Sequence, residues 1–137
     1  MELSKHISEN LRTQYPNDSF VAFRGDAYGH GLWKSLICNM YGANVIRLPL
    51  SSGEAIDDSA LKARLNRLVF ESKWMRNRLD RAKHIFDQIQ KMLPATYNTV
   101  FVTPVISNTR PVVYGPHKGL AFFWEPGFGT HVTIVLH

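Results

Sequence analysis

Gly25-Asp26-Ala27-Tyr28-Gly29-His30-Gly31 lies between a short apolar run, Phe20-Val21-Ala22-Phe23, and the stretch Leu32-Trp33-Lys34-Ser35-Leu36. Gly29 and Gly31, two glycines within three positions, favour a tight loop over Asp26 to Gly31 and close backbone approach. A nucleophile in the first turn of a helix after such a loop gains from the helix dipole, which lowers a thiol's pKa. It also gains from free backbone N–H groups that form an oxyanion hole. Gly31 occupies that place, and glycine does no nucleophilic chemistry. On the residues alone the loop is a phosphate- or backbone-binding turn or a tight structural corner, and the corner is the commoner use of an isolated glycine loop.

The other half of a possible site is His131, which follows Gly127-Phe128-Gly129-Thr130 and opens an apolar run. An imidazole at the mouth of a strand serves as a general base or is buried as a satisfied polar residue. Cys38, the only cysteine, excludes an intramolecular disulfide and a cysteine-rich zinc site. It falls two helical turns past Gly31, where the dipole no longer activates a thiol, so a structural role is expected and reaction as a nucleophile is the weaker alternative. His30, His117, His131 and His137 have no HExxH or paired spacing, so neither zinc nor any other cofactor is expected. Trp33, Trp74, Trp124 and the Phe122-Phe123 pair read as core, because large aromatics dominate the buried area of small domains. Trp124 stands before the turn to His131 and is also placed to line a narrow substrate groove.

The elements that would position these groups follow from periodicity. Leu3, Ile7 and Leu11 are four apart, which predicts a short amphipathic helix over Ser4 to Gln14, before Pro16. Phe20 to Phe23 is a buried strand. Leu32 to Tyr41, with Leu32, Leu36, Ile37 and Met40 on one side, reads as a helix stopped by Gly42. Val45 to Leu50 is a connector, since Pro49 argues against a central strand. Asp57-Asp58-Ser59 offers a helix N-cap. Positions 61, 65, 68, 72, 75, 79, 82, 86, 89 and 93 then form an apolar stripe broken only by Ser72. The stripe predicts one long helix, or two with a joint near Glu71 to Lys73, ending before Pro94. Thr99–Thr103, Pro111–Tyr114, Leu120–Trp124 and His131–Leu136 are strands separated by turn residues, and together they predict a meander. The result is a single α+β domain over 1–137, with a small, mainly antiparallel sheet packed against a helical layer.

The 137 residues suit one domain, and 45% apolar with 20% charged residues is ordinary globular composition. No stretch is apolar enough to span a membrane, and the N-terminus lacks a secretory pattern, so a reducing, cytoplasmic setting is expected. The net charge of +5 is uneven: residues 60–93 hold nine Lys/Arg against three acids, a balance of +6. Such a block meets an acidic protein, RNA or another polyanion, or forms a solvated helix face, the commoner reason for it.

Gly25-Asp26, Leu32-Trp33-Lys34-Ser35-Leu36 and His131-Val132-Thr133-Ile134-Val135 together resemble the ovarian-tumour (OTU) class of papain-like cysteine proteases and deubiquitinases. That family has a Gly-Asp-Gly-x-Cys loop, a helix carrying the cysteine, and a histidine that begins a strand near the C-terminus. The resemblance covers most of the chain in element order and about a dozen residues in detail. It implies a papain-like fold, with position 31 as the nucleophile, His131 as base and then acid, and Asp26 or Asn108 orienting the imidazole. Tyr28, His30, Trp33 and Trp124 fall on the substrate side of a channel for the glycine-rich tail of ubiquitin. The loop is two residues longer than the family pattern, Gly31 stands where the cysteine should be, and residue 133 is Thr rather than Asn or Asp.

The leading expectation is therefore an OTU-like protease or deubiquitinase scaffold, viral or bacterial in setting, that is inactive as written and binds ubiquitin, a ubiquitin-like protein or a polyprotein without cleaving it. A viral or secreted bacterial member would act in the host cytosol. The alternative is a non-catalytic binding module that uses the basic 60–93 segment to hold an acidic protein or RNA.

Overall fold

The computed structural model describes residues 2–24, 28–30, 36–40, 43–48, 58–104, 112–114, 119–125 and 130–137. Helix α1 (Glu2–Gln14) carries the expected stripe, with Ile7 and Leu11 packed on Phe20, Ala22 and Val45. Strand β1 (Ser19–Arg24) pairs antiparallel with β4 (Ala43–Leu48) on one side and β6 (Val112–Tyr114) on the other. With β3 (Leu36–Met40) beyond β4, the first sheet has the order β3-β4-β1-β6. The second sheet has the order β2-β5-β8-β7, from Tyr28–His30, Asn98–Pro104, Thr130–Leu136 and Gly119–Glu125. Every pairing in both sheets is antiparallel.

Side-chain alternation along the strands sets the layer order. Val132, Ile134 and Leu136 of β8, with Val100 and Val102 of β5, meet Leu61, Leu65, Val69, Ala82, Ile85 and Ile89 from helices α2 (Ser59–Glu71) and α3 (Arg78–Met92). The intervening residues Phe101 and Val135 point the other way and pack against Val21, Ile46 and Leu48 of the first sheet. The layers thus run α1, first sheet, second sheet, α2–α3. Strands β5 and β8 are covered on both faces, so they read as near-continuous apolar runs instead of alternating ones. Each fully buried Val, Ile or Leu there contributes about 1.5–3 kcal/mol through removal from water.

The α+β expectation holds, with two small antiparallel sheets where one was expected. Three local readings are overturned. Leu36–Met40, expected within a helix over Leu32 to Tyr41, is strand β3: pairing with β4 outweighs a short helical pattern that a strand accommodates equally well. The register steps from Leu36↔Ile46 to Cys38↔Val45, so Ile37 is the extra residue of a bulge. Residues 31–35 and 41–42 of that expected helix lie outside the described residues. Val45–Leu48, expected as part of a connector over Val45 to Leu50, belongs to β4, an interior strand, and residues 49–50 lie outside the described residues. Tyr28–His30, expected in a tight loop, forms β2 against β5.

The meander is also interrupted, because β6 leaves β5 and β7 and pairs with β1. Among the alternatives for the long stripe, the two-helix form is the one observed. Asp58 caps α2, accepting from the N–H groups of Ala60 at 3.0 Å and Leu61 at 3.1 Å. Asn77 caps α3 through Asp80 N–H at 3.1 Å. The joint changes the helical phase: Arg81 and Ile85 are buried in α3, whereas the stripe position Leu79 is 44% exposed. Among the described residues no helix is long and apolar enough to cross a membrane.

Candidate functional site

His131 is half-buried at the start of β8, where it stands directly opposite Trp124 of β7 and Thr103 of β5. Thr133 lies two residues on and so shares its face of the strand. Thr133 is buried, and its Oγ1 has no hydrogen-bond partner among the described residues. The second sheet thus brings two of the expected site residues, Trp124 and His131, into register. It does not bring His30 there. His30 lies opposite Val100, and Val100 lies opposite Ile134, three residues from His131 along β8 and two strands across. At ~3.3 Å per residue and ~4.8 Å per strand, the Cα atoms of His30 and His131 stand about 14 Å apart. Tyr28, opposite Val102, is one row below His131 on the same distant edge strand. Asp26, Gly31, Trp33, Asn108 and His117 lie outside the described residues. Cys38, expected on a helix, lies on strand β3 at the edge of the first sheet.

A different surface gathers charge and exposed rings. Helix α2 turns Leu61, Leu65 and Val69 to the second sheet, which leaves Lys62, Arg64, Arg67 and Phe70 on the outside. Of the nine basic residues in 60–93, one, Arg81, is withdrawn into the interior, where its Nε donates to Ser72 Oγ at 3.1 Å and its Nη2 to the Val69 carbonyl at 3.0 Å. Its Nη1 reaches Thr130 Oγ1 at 3.3 Å, linking the helical joint to the residue before His131. Two of the three acids, Glu71 and Asp87, are engaged in (i, i+4) pairs with Arg67 and Lys83, at 3.1 and 3.2 Å. Both pairs are well exposed and contribute little to stability.

Between α2 and α3 an open groove of about 230 Å³ is lined by Arg64, Arg67, Leu68, Glu71, Gln88 and Met92. Arg64, Arg67 and Phe70 follow one another at intervals of three, so they form a continuous ridge from the groove to the end of the helix. At that end Phe70 is 61% and Trp74 71% exposed. The Lys73 ammonium lies over both rings, 3.7 Å from the Phe70 centroid and 5.0 Å from that of Trp74. Reading Trp74 as core is therefore corrected. It occupies the joint between Ser72 and Asn77, off the apolar stripe, and that offset is the sequence signal for its exposure.

The chain matches no protein-family model, no curated protein and no solved structure.

Proposed function

We propose that this chain is a non-catalytic binding module of the cytoplasm that holds a polyanionic partner on its α2–α3 layer. The observation that carries this reading is the pair Arg64 and Arg67 in a solvent-open groove on the same helix whose end presents the exposed Phe70, with Lys73 and Trp74 just beyond it. Two guanidinium groups beside each other present forked donors suited to phosphate or carboxylate oxygens. The lone cysteine on a strand is consistent with a reducing setting. The test is binding of a labelled RNA oligomer and of polyglutamate at 50 and 200 mM salt, with Arg64→Gln/Arg67→Gln as control. Salt-sensitive binding that the double substitution weakens supports the reading, and absence of binding to both polyanions at 50 mM salt overturns it.

A second reading keeps the OTU-like scaffold, with a ubiquitin-type or polyprotein substrate and His131 as its acid–base group. The backbone register that sets Trp124 opposite His131 favours it. Against it, Leu36–Met40 is a strand where the resemblance implies a continuing helix, and His30 lies far from the His131 row. Gly31→Cys assayed on a ubiquitin-derived fluorogenic substrate, with and without His131→Ala, tests it. Turnover that depends on both residues would restore this reading to first place.

A further inference from the structure

The polyanion reading leaves one feature of the surface unused. An acidic peptide would satisfy Arg64 and Arg67, yet it would give no role to two large rings that stand 61% and 71% exposed at the end of the same ridge. We propose that Phe70 and Trp74 are a stacking platform for unpaired bases, and that the polyanion is a single-stranded nucleic acid. This inference rests on the polyanion-binding function of the α2–α3 layer.

Four observations point to this ligand. Cations and rings alternate along the ridge in the order Arg64, Arg67, Phe70, Lys73, Trp74, so charge and π-face lie within a turn of each other. Single-stranded nucleic acid has the same alternation, with a charged backbone on one side and flat bases on the other, and proteins that bind it pair a basic groove with aromatic steps. The groove beside the ridge is open to solvent and not closed like a small-molecule pocket, so a phosphate backbone can reach Arg64 and Arg67 from outside. Finally, the Lys73 ammonium lies over one face of each ring, so a base stacks on the opposite face or displaces the flexible lysine, and in both cases the charge stays close to the phosphates flanking that base. A lipid surface fits less well: Glu71, which follows Phe70 and lines the groove, is exposed, and its carboxylate would be brought against the headgroup layer.

The division of labour is specific. Arg64 and Arg67 hold phosphates without regard to strandedness, whereas the rings distinguish unpaired bases from a duplex whose bases are already stacked. Binding is measured by fluorescence anisotropy with a 12-nucleotide oligouridylate, a 12-base-pair RNA duplex, polyglutamate, and vesicles containing anionic lipid. The oligouridylate should bind more tightly than the duplex. Trp74→Ala should weaken oligouridylate binding by about 5- to 150-fold, the range for loss of one stacked base, and leave duplex binding unchanged. Trp74→Phe, which keeps a ring, should restore most of the loss. Because Trp74 is largely exposed, circular dichroism and the unfolding midpoint of both variants should match the parent.

If single strand and duplex bind alike and Trp74→Ala changes neither, the stacking proposal is overturned while the polyanion reading stands. If polyglutamate binds and neither RNA does, the partner is an acidic protein and the proposal fails. Binding to vesicles alone overturns both the proposal and the reading beneath it, as does no binding to any probe.

Discussion

The buried guanidinium of Arg81 donates through Nε to the hydroxyl of Ser72, nine residues earlier, at 3.1 Å. Ser72 in turn donates to the Val69 carbonyl at 2.9 Å, so one hydroxyl closes the end of α2 and anchors the first turns of α3. This accounts for the one polar position in the apolar stripe of residues 61–93. Arg81 ties the joint to β8 as well, through Thr130.

Loss of that hydroxyl should be costly. Ser72→Ala leaves Arg81 Nε without this acceptor in a buried setting, and a decrease of about 1–3 kcal/mol in unfolding free energy is expected. Urea denaturation checks it, with an unchanged slope showing that the unfolded state is not altered. Arg81→Met, which keeps an unbranched stem and removes the charge, should cost less than Arg81→Ala.

The two-sided burial of β8 predicts a different sensitivity. Ile134 is fully buried and faces the helical layer. Ile134→Val should cost about 0.5–1.5 kcal/mol and Ile134→Ala about 2–5 kcal/mol, the difference reflecting the cavity left between sheet and helices. Equal effects of the two substitutions in thermal or chemical unfolding would contradict the packing described.

Asp58 gives a local test of the start of α2. Its carboxylate accepts from two N–H groups, so Asp58→Ala should destabilise the chain by about 0.5–2 kcal/mol, and Asp58→Ser should recover most of that loss. An equal loss in both variants would show that charge rather than capping sets the effect.

Salt provides the measure of the Arg64–Arg67 groove. If both guanidinium groups meet phosphates of a single strand, Arg64→Gln/Arg67→Gln should flatten the slope of log K against log salt by about 1.4 units, roughly 0.7 for each phosphate that is no longer neutralised. Unfolding stability should change little, because both side chains are exposed. An unaltered slope would place the phosphate-binding cations elsewhere on the molecule.

Patterns that one element satisfies by itself were readable in advance. The helix before Pro16 with Ile7 and Leu11 on its inner side, the Asp58 cap, the apolar positions of α2 and the C-terminal strands each express a local rule of spacing or capping, and each appears where that rule put it. The basic charge of 60–93 was equally plain. The candidate surface was only half visible: composition showed the cations, but the exposure of Trp74 depends on where α2 stops and how α3 is rotated about its axis, and Arg81 holds that joint from across the interior.

Tertiary pairing decided the described strands between Tyr28 and Leu48. Leu36–Met40 and Ala43–Leu48 have apolar patterns that suit more than one backbone conformation, and their strand form is secured by ladder bonds to each other and to β1. The same holds for Val112–Tyr114, which completes the first sheet instead of continuing a meander. A helix closes its hydrogen bonds within its own few turns, so its periodicity is written locally. A strand leaves its N–H and C=O groups to be met by residues far away in the chain, so its partner, and with it the relation of His30 to His131, is settled only when the sheets assemble.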